Sequence, residues 1–205
     1  LGKLPQLSSL FLDNCWLTDD NLGCLGKNIR EIKIHELGKA SLAPLLRAMR
    51  ALHTNGIPLQ KFELNSDDNT FTILPLAQFM LENFASLRAL SISGFIIEKT
   101  PAVFKPLKQV LAVNIEELDL TGISWSSESH FHQFFETLLA QPLPHLRRLK
   151  YRATNIPLED NIAKRLWGMC PKLDKMDVEH RCDDLQNLAK LYLARERSFS
   201  HYDYD

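Results

Sequence analysis

Leucines recur at uneven steps in this chain, and their spacing limits the folds that it can adopt. The stretch LSSLFLDNCWL places leucine at positions 7, 10, 12 and 17. The same order of apolar residues begins again at positions 29, 59, 87, 115, 146 and 173, so successive copies are 22, 30, 28, 28, 31 and 27 residues apart. One such motif would mean little because leucine is common. Seven in nearly regular succession predict a chain built from structural repeats.

The residues within each copy predict a short β-strand. The later copies read IREIKIHEL, LQKFELNSDDN, LRALSISGFII, IEELDLTGI, LRRLKYRATNI and LDKMDVEHRC. Their apolar residues recur at steps of three and two, which directs side chains inward from a bend and a short strand, while the residues between them point outward. The step of five in the first copy is expected to carry the chain around the next corner.

Amphipathic segments between the copies predict helices over 41–54, 76–87, 103–114, 128–141, 158–170 and 184–197. In each segment apolar residues recur at three- and four-residue steps, which is typical of a helix with one buried face. A unit of one strand, one turn and one helix cannot bury its own apolar face. Stacked units share a continuous core, so we predict an α/β fold with parallel strands on one side and helices on the other.

The first copy resembles the leucine-rich repeat family, whose pattern is L-x-x-L-x-L-x-x-(N/C)-x-L, and Cys15 takes the Asn or Cys position. The resemblance covers nearly the whole chain. It implies a solenoid of about seven strand–turn–helix repeats with a parallel concave sheet and helices on the convex side. The repeats would occupy 1–197 and a polar tail 198–205. Later copies have Asp67, Phe95, Ile123 and Thr154 at or near the Cys15 place, so we expect less regular inner turns there.

The outward-facing strand residues are expected to pave the concave surface of such a solenoid. We predict that a partner binds this surface through Phe11, Lys33, His35, Lys61, Glu63, Ser91, Glu117, Asp119, Arg148, Lys150, Arg152, Lys175 and Asp177. The surface is banded, with the row of Ala89, Ser91 and Ser93 followed by an acidic row and then a basic row. Two interpretations stay open: the acidic and basic rows neutralise each other on a solvated face, or they form a partner footprint.

Aromatic residues outside the expected core also have two interpretations. Phe11 either anchors a partner or packs against a segment upstream. Trp16 and Trp125 follow strands, where each either fills a corner or forms a binding hot spot. Trp167 lies in a predicted helix and is expected in the core.

Motifs of catalysis and cofactor binding are absent from the sequence. It contains no Gly-x-Ser-x-Gly elbow, no phosphate-binding loop and no dinucleotide fingerprint. His130 and His132 are two residues apart, a spacing that turns them away from each other on a helix. His180 and Cys182, near Cys170 in sequence, lack the four-ligand spacing of a zinc site. We therefore predict no enzyme activity, no cofactor and no metal.

Charge and cysteine content narrow the partners and the compartment. The net charge is −1, and the basic patch of Arg147, Arg148, Lys150 and Arg152 is flanked by acidic residues, so nucleic acid is not the expected partner. No apolar run approaches the roughly 18 residues of a membrane span, so no membrane interaction is expected. The four cysteines form no Cys-x-x-Cys pair, which suits the cytoplasm or nucleus.

The resemblance implies a protein-recognition module with no chemistry of its own. Varied repeat spacing is similar to that of F-box leucine-rich proteins, in which the repeat arc selects a substrate for a ubiquitin ligase. The alternatives are the sensor arc of a NOD-like immune receptor and an accessory subunit of a complex. Because the first residue is Leu1 rather than Met, we expect the chain to belong to a larger protein.

Overall fold

Eight strands and three helices make up the part of the chain that the computed structural model describes, which is residues 6–13, 28–35, 42–66, 79, 85–97, 114–140, 142–153, 155–156 and 158–178. The strands are β1 (Ser9–Asp13), β2 (Glu31–His35), β3 (Lys61–Asn65), β4 (Ala89–Ser93), β5 (Ile96–Ile97), β6 (Glu117–Trp125), β7 (Arg148–Ala153) and β8 (Lys175–Val178). The helices are α1 (Leu42–Thr54), α2 (Glu128–Leu139) and α3 (Asp160–Met169).

The strands form one parallel sheet in which spatial order follows chain order. The path runs β1-β2-β3-β4-β6-β7-β8, and the short β5 pairs beside it with the second half of β6. Each strand aligns with the equivalent residues of the next copy: Ile32 pairs with Phe62, Phe62 with Leu90, and Leu90 with Leu118. Parallel neighbours need crossover connections, and each described helix lies in one: α1 between β2 and β3, α2 between β6 and β7, and α3 between β7 and β8. The predicted α/β fold with a parallel sheet is confirmed.

Strict alternation of burial along the strands explains why these segments are extended. In β2, β3 and β4 the second and fourth residues are buried and the others are half-buried. The buried positions are the repeated apolar residues of the sequence, among them Ile34, Leu64 and Ile92 at 0–1% exposure. Each such side chain contributes about 1.5–3 kcal/mol on burial, so the apolar period of two fixes the register.

The buried face of the sheet shares one core with the helices. Leu45, Met49 and Leu52 project from α1 into it, and Phe131 and Phe135 project from α2. Ser127 caps α2, because its hydroxyl accepts a hydrogen bond from the backbone N–H of His130. The predicted helices over 41–54, 128–141 and 158–170 are confirmed as α1, α2 and α3. Those over 76–87, 103–114 and 184–197 lie almost wholly outside the described residues.

The corner after β6 is packed with aromatic rings. Trp125 is buried, and its indole N–H donates a hydrogen bond to the Tyr151 hydroxyl at 2.8 Å. The Asn155 amide spans this corner, accepting from the Trp125 backbone N–H and donating to its carbonyl. The corner-filling interpretation is therefore confirmed for Trp125, and Trp167 is partly buried against the core. Trp16 lies outside the described residues.

A turn with an irregular register follows the first half of β6. Phe95 and Ile123, which align at or near the Cys15 place in the sequence, are both fully buried. Gly122 has φ +74°, and the register between β6 and β7 shifts at this point, between Thr121 and Ile123. Asp67 and Thr154 lie outside the described residues.

Candidate functional site

The outward-facing residues of β1 to β8 form a single surface, which we call the polar face. Strand pairing aligns these residues across the sheet. The alignment at the start of the strands is Ser9, Glu31, Lys61, Ala89, Glu117, Arg148 and Lys175, and the alignment in the middle of the strands is Phe11, Lys33, Glu63, Ser91, Asp119, Lys150 and Asp177. His35 and Arg152 lie further along their strands. The structure thus brings all thirteen predicted binding residues onto one face.

The first strands of the polar face carry a connected group of charges. Lys61 lies 3.3 Å from Glu31, and Glu63 lies 2.9 Å from His35 and 3.9 Å from Lys33. Partial burial alone would raise the pKa of Glu31. Hydrogen bonds from Ser9 and Lys61, and the charges of Lys61 and Lys33, outweigh that effect and lower this pKa below its usual value. The group holds these side chains in defined positions.

The acidic and basic rows predicted from the sequence do pair with each other. Arg148 contacts Glu117 at 3.2 Å and Lys150 contacts Asp119 at 3.3 Å. Asp119 also accepts hydrogen bonds from the backbone and hydroxyl of Thr121, at 3.1 and 2.6 Å. Exposed pairs of this kind contribute about 0–1 kcal/mol each, so they add little to stability. They orient the cations without removing them from solvent.

A trough crosses the middle of the polar face above β4. Its floor includes Ala89 and Ser91, whose side chains are short, and its volume is about 370 Å³. The charged residues that line it are Lys61 and Glu63 on one side, and Glu117, Asp119, Arg148, Lys150 and Lys175 on the other. A second hollow of about 330 Å³ lies toward the carboxyl ends of the strands, around Ser93, where the Ser93 hydroxyl donates to the Asn65 side chain at 2.7 Å. The sequence signal for the trough is the short side chains of Ala89, Ser91 and Ser93 between copies with long charged side chains.

The edge of the sheet at β1 exposes an aromatic ring. Phe11 is 55% exposed, more than any other large apolar side chain in the described part of the chain. It packs edge-on against the His35 imidazole, with ring centroids 4.8 Å apart. Its outward direction agrees with the prediction. Both interpretations of Phe11 stay open, because residues 1–5 lie outside the described residues.

The two histidines of the HFH sequence have different surroundings, as their spacing predicts. His130 is buried, and its Nδ1 is hydrogen-bonded to the Ser126 and Ser127 hydroxyls. His132 is partly exposed and lies 3.1 Å from Glu159, which follows β7 and precedes α3. The sequence does not signal that His132 and Glu159 are neighbours, because they meet only when α2 packs on α3.

Glu128 completes a cluster around His132. One ligand atom each from Glu128, His132 and Glu159 lies within 4.8 Å of the others, a geometry compatible with a metal ion. Glu128 and His132 are one helical turn apart, which the sequence could have signalled. The direct contact between His132 and Glu159 and the at least partial exposure of all three side chains account for this cluster as a link between α2 and α3, so we assign no metal to it.

A buried thiol and a buried phenol are the remaining groups in the described part of the chain with a capacity for chemistry. Cys170 is fully buried at the end of α3, where no substrate reaches its sulfur. Burial raises the pKa of the Tyr151 hydroxyl well above its usual value, although the hydrogen bond from Trp125 opposes this. Both side chains are part of the packing. His180 and Cys182 lie outside the described residues.

Comparison with known proteins adds no relative to these observations. No model of a protein family matches the chain, and no curated protein sequence matches it. None of the helices that the structure describes has the length and apolar character required to cross a bilayer.

Proposed function

We propose that this chain is a leucine-rich repeat solenoid that recognises a protein partner through the polar face. The order of the strands supports the solenoid, because each repeat pairs only with its neighbours along the chain. The parallel register supports it too, because equivalent residues of successive copies align. Seven strands in this arrangement would make the polar face the concave side of the arc.

The trough above β4 is the observation that carries the binding proposal. A sheet with one face packed on helices needs only one buried side, and its other side can serve as a surface for ligands. Here that side has defined relief: short side chains in β4 lie between walls of charged ones. The walls are ordered by ion pairs before any partner arrives, which reduces the entropy lost on binding.

The larger protein is proposed to use this arc to select a partner, as the repeats of F-box-type ubiquitin-ligase receptors do. The proposal rests on the resemblance in repeat spacing and is one of fold-level analogy. It places the chain in the cytoplasm or nucleus and assigns it no enzyme activity. Purification of the parent protein should recover a ubiquitin-ligase adaptor and cullin. Recovery of a nucleotide-binding module or of a fixed complex instead would favour the NOD-like receptor or the accessory subunit.

Filling the trough should prevent binding. We expect Ser91→Phe to reduce recovery of the specific partner by about tenfold or more, because the ring occupies the space above β4; tenfold corresponds to about 1.4 kcal/mol of binding free energy. Ser91 has no hydrogen bond among the described residues, so the change leaves no polar group unpaired. The measurement is quantitative mass spectrometry of proteins that co-purify with the tagged parent protein.

The matched control for Ser91→Phe is Ala140→Phe. It adds the same ring at an exposed position at the end of α2, away from the polar face. Both variants should keep the far-UV circular dichroism of the parent. Equal recovery of partners by the two variants would contradict binding at the trough.

A further inference from the structure

The polar face carries equal numbers of the two charges, so its net charge does not identify a partner. Among the described residues there are six cations and six carboxylates on this face; the cations are Lys33, Lys61, Arg148, Lys150, Arg152 and Lys175, and the carboxylates are Asp13, Glu31, Glu63, Glu117, Asp119 and Asp177. What distinguishes the two charges is the exposure of the partners within each ion pair.

Within the ion pairs of this face, the cation is more exposed than the carboxylate that it contacts. The Lys150 side chain is 53% exposed and that of its partner Asp119 is 25% exposed. Arg148 and Glu117 show the same order, at 59% and 45%. The same holds for all six lysine or arginine ion pairs that described residues form on this face. The physical reason is length, since lysine and arginine extend their charge beyond the reach of Asp and Glu.

Lys175 lines the trough and forms no ion pair among the described residues. It aligns with Arg148 where β8 pairs with β7. Four cations, Lys61, Arg148, Lys150 and Lys175, line the trough beside three carboxylates, Glu63, Glu117 and Asp119, so the lining has one cation in excess. An acidic ligand in the trough therefore has more opposite than like charges within contact distance.

We infer that the trough binds an acidic polypeptide segment. This inference rests on the proposed function and adds the chemistry of the partner. The lining of the trough runs from Lys61 on β3 to Lys175 on β8, which is four strand spacings or about 19 Å. That length accommodates several residues of a polypeptide, whose carboxylates can contact the cations of successive strands.

Nucleic acid is a poorer match for the same cations. Single-stranded nucleic acid binds to grooves that combine cations with aromatic rings on which bases stack. Phe11 is the large exposed aromatic residue of the described face, and it lies at β1, away from the trough. The carboxylates of Glu117 and Asp119 also line the trough and would repel a continuous row of phosphates. Separate carboxylates on a peptide can reach the cations one at a time.

Selection from an unbiased peptide library tests this inference. Phage-displayed random peptides are selected on the immobilised full chain and, in parallel, on its Ser91→Phe and Ala140→Phe variants. We expect enriched peptides to be rich in Asp and Glu, to be retained by Ala140→Phe and to be lost on Ser91→Phe. Enriched peptides that depend on the trough but are neutral or basic would overturn the acidic segment and leave the proposed function intact.

The other outcomes of the selection are also decisive. Peptides that bind equally to all three proteins, or a failure to enrich any peptide, would overturn both the acidic segment and the protein-binding trough. A labelled single-stranded oligonucleotide is then titrated against the parent chain beside an enriched peptide. Tighter binding of the oligonucleotide would also overturn the inference, in favour of nucleic acid.

A matched pair of lysines shows whether the charge itself is read. Lys175 and Lys164 are both exposed and without an ion pair among the described residues, but Lys175 lies in the trough and Lys164 on α3. Fluorescence anisotropy of an enriched peptide should show about two- to fivefold weaker binding by Lys175→Gln and unchanged binding by Lys164→Gln. Equal affinities of the two variants would contradict a contact between Lys175 and the acidic segment.

Discussion

Replacing Gly94 by alanine should prevent folding or lower the free energy of unfolding by more than about 4 kcal/mol. A methyl group at this position would lie 2.7 Å from the carbonyl carbon of Ser66, and closer still to the carbonyl oxygen. These are backbone atoms, which cannot rotate away as a flexible side chain can. In addition, φ at Gly94 is +75°, which side-chain-bearing residues rarely adopt.

Backbone hydrogen bonds join the turns at Ser66, Gly94 and Gly122 near this close approach. The Ser66 N–H donates to the Ser93 carbonyl at 3.1 Å, and the Gly94 N–H donates to the Gly122 carbonyl at 3.2 Å. Relief of the clash would break one or both bonds and separate the turns of adjacent repeats. Because each strand of the described sheet pairs only with the strands beside it, the damage is expected to spread along the sheet.

Two other glycines show how much of the destabilisation by Gly94→Ala comes from the steric clash and how much from the positive φ. Gly56 has φ +67°, but nothing lies within 4 Å of the place that an added methyl group would take, so Gly56→Ala should cost only the conformational strain of about 1–2 kcal/mol. Gly168 lies in α3 with open space around it, so Gly168→Ala should be neutral or stabilise by up to about 1 kcal/mol. Urea denaturation followed by far-UV circular dichroism measures all three. Equal midpoints for Gly94→Ala and Gly56→Ala would contradict the close approach.

The apolar pattern of the sequence was sufficient to predict the strands of the sheet, because burial determines which side chains of each strand face the core. Ile32 and Phe62 lie where their spacing placed them, since a shift by one residue would turn every apolar side chain of a strand to solvent. The turns were less predictable. The contact between Gly94 and Ser66 joins different repeats, and no local preference of either residue specifies it.

The residues of the polar face could be predicted from the sequence, but the contacts and relative exposure of their charges could not. Alternation along each strand placed Ser91, Asp119 and Lys150 outward, and the structure agrees. The relative exposure of the charges depends on how each side chain packs against its neighbours, and the spacing of residues in the sequence does not contain that information. The His132 and Glu159 contact was missed for a related reason: its partners lie in different segments that meet through helix packing.

Removing the hydroxyl of Tyr151 should destabilise the protein by about 2–4 kcal/mol. Tyr151 is fully buried and accepts a hydrogen bond from the Trp125 indole, and it donates one to the Ile156 carbonyl at 2.8 Å. Tyr151→Phe keeps the ring but leaves that indole N–H and that carbonyl without partners. Each unpaired group in such a site costs about 1–3 kcal/mol. Denaturant unfolding of the variant and the parent at about pH 8 measures the difference.

The same substitution should also change how stability depends on alkaline pH. Burial raises the pKa of Tyr151 in the folded protein above its ordinary value of 10.0, so at high pH the unfolded chain loses this proton and the folded one keeps it. The stability that Tyr151 provides is therefore complete below about pH 10 and declines as the pH rises further. At about pH 11 the parent should lose about 1.4 kcal/mol that Tyr151→Phe does not lose, so the gap between them narrows by that amount. A gap of the same size at both pH values would show that the hydroxyl ionises as easily in the folded protein as in the unfolded chain, and that the corner between β6 and β7 is open to water.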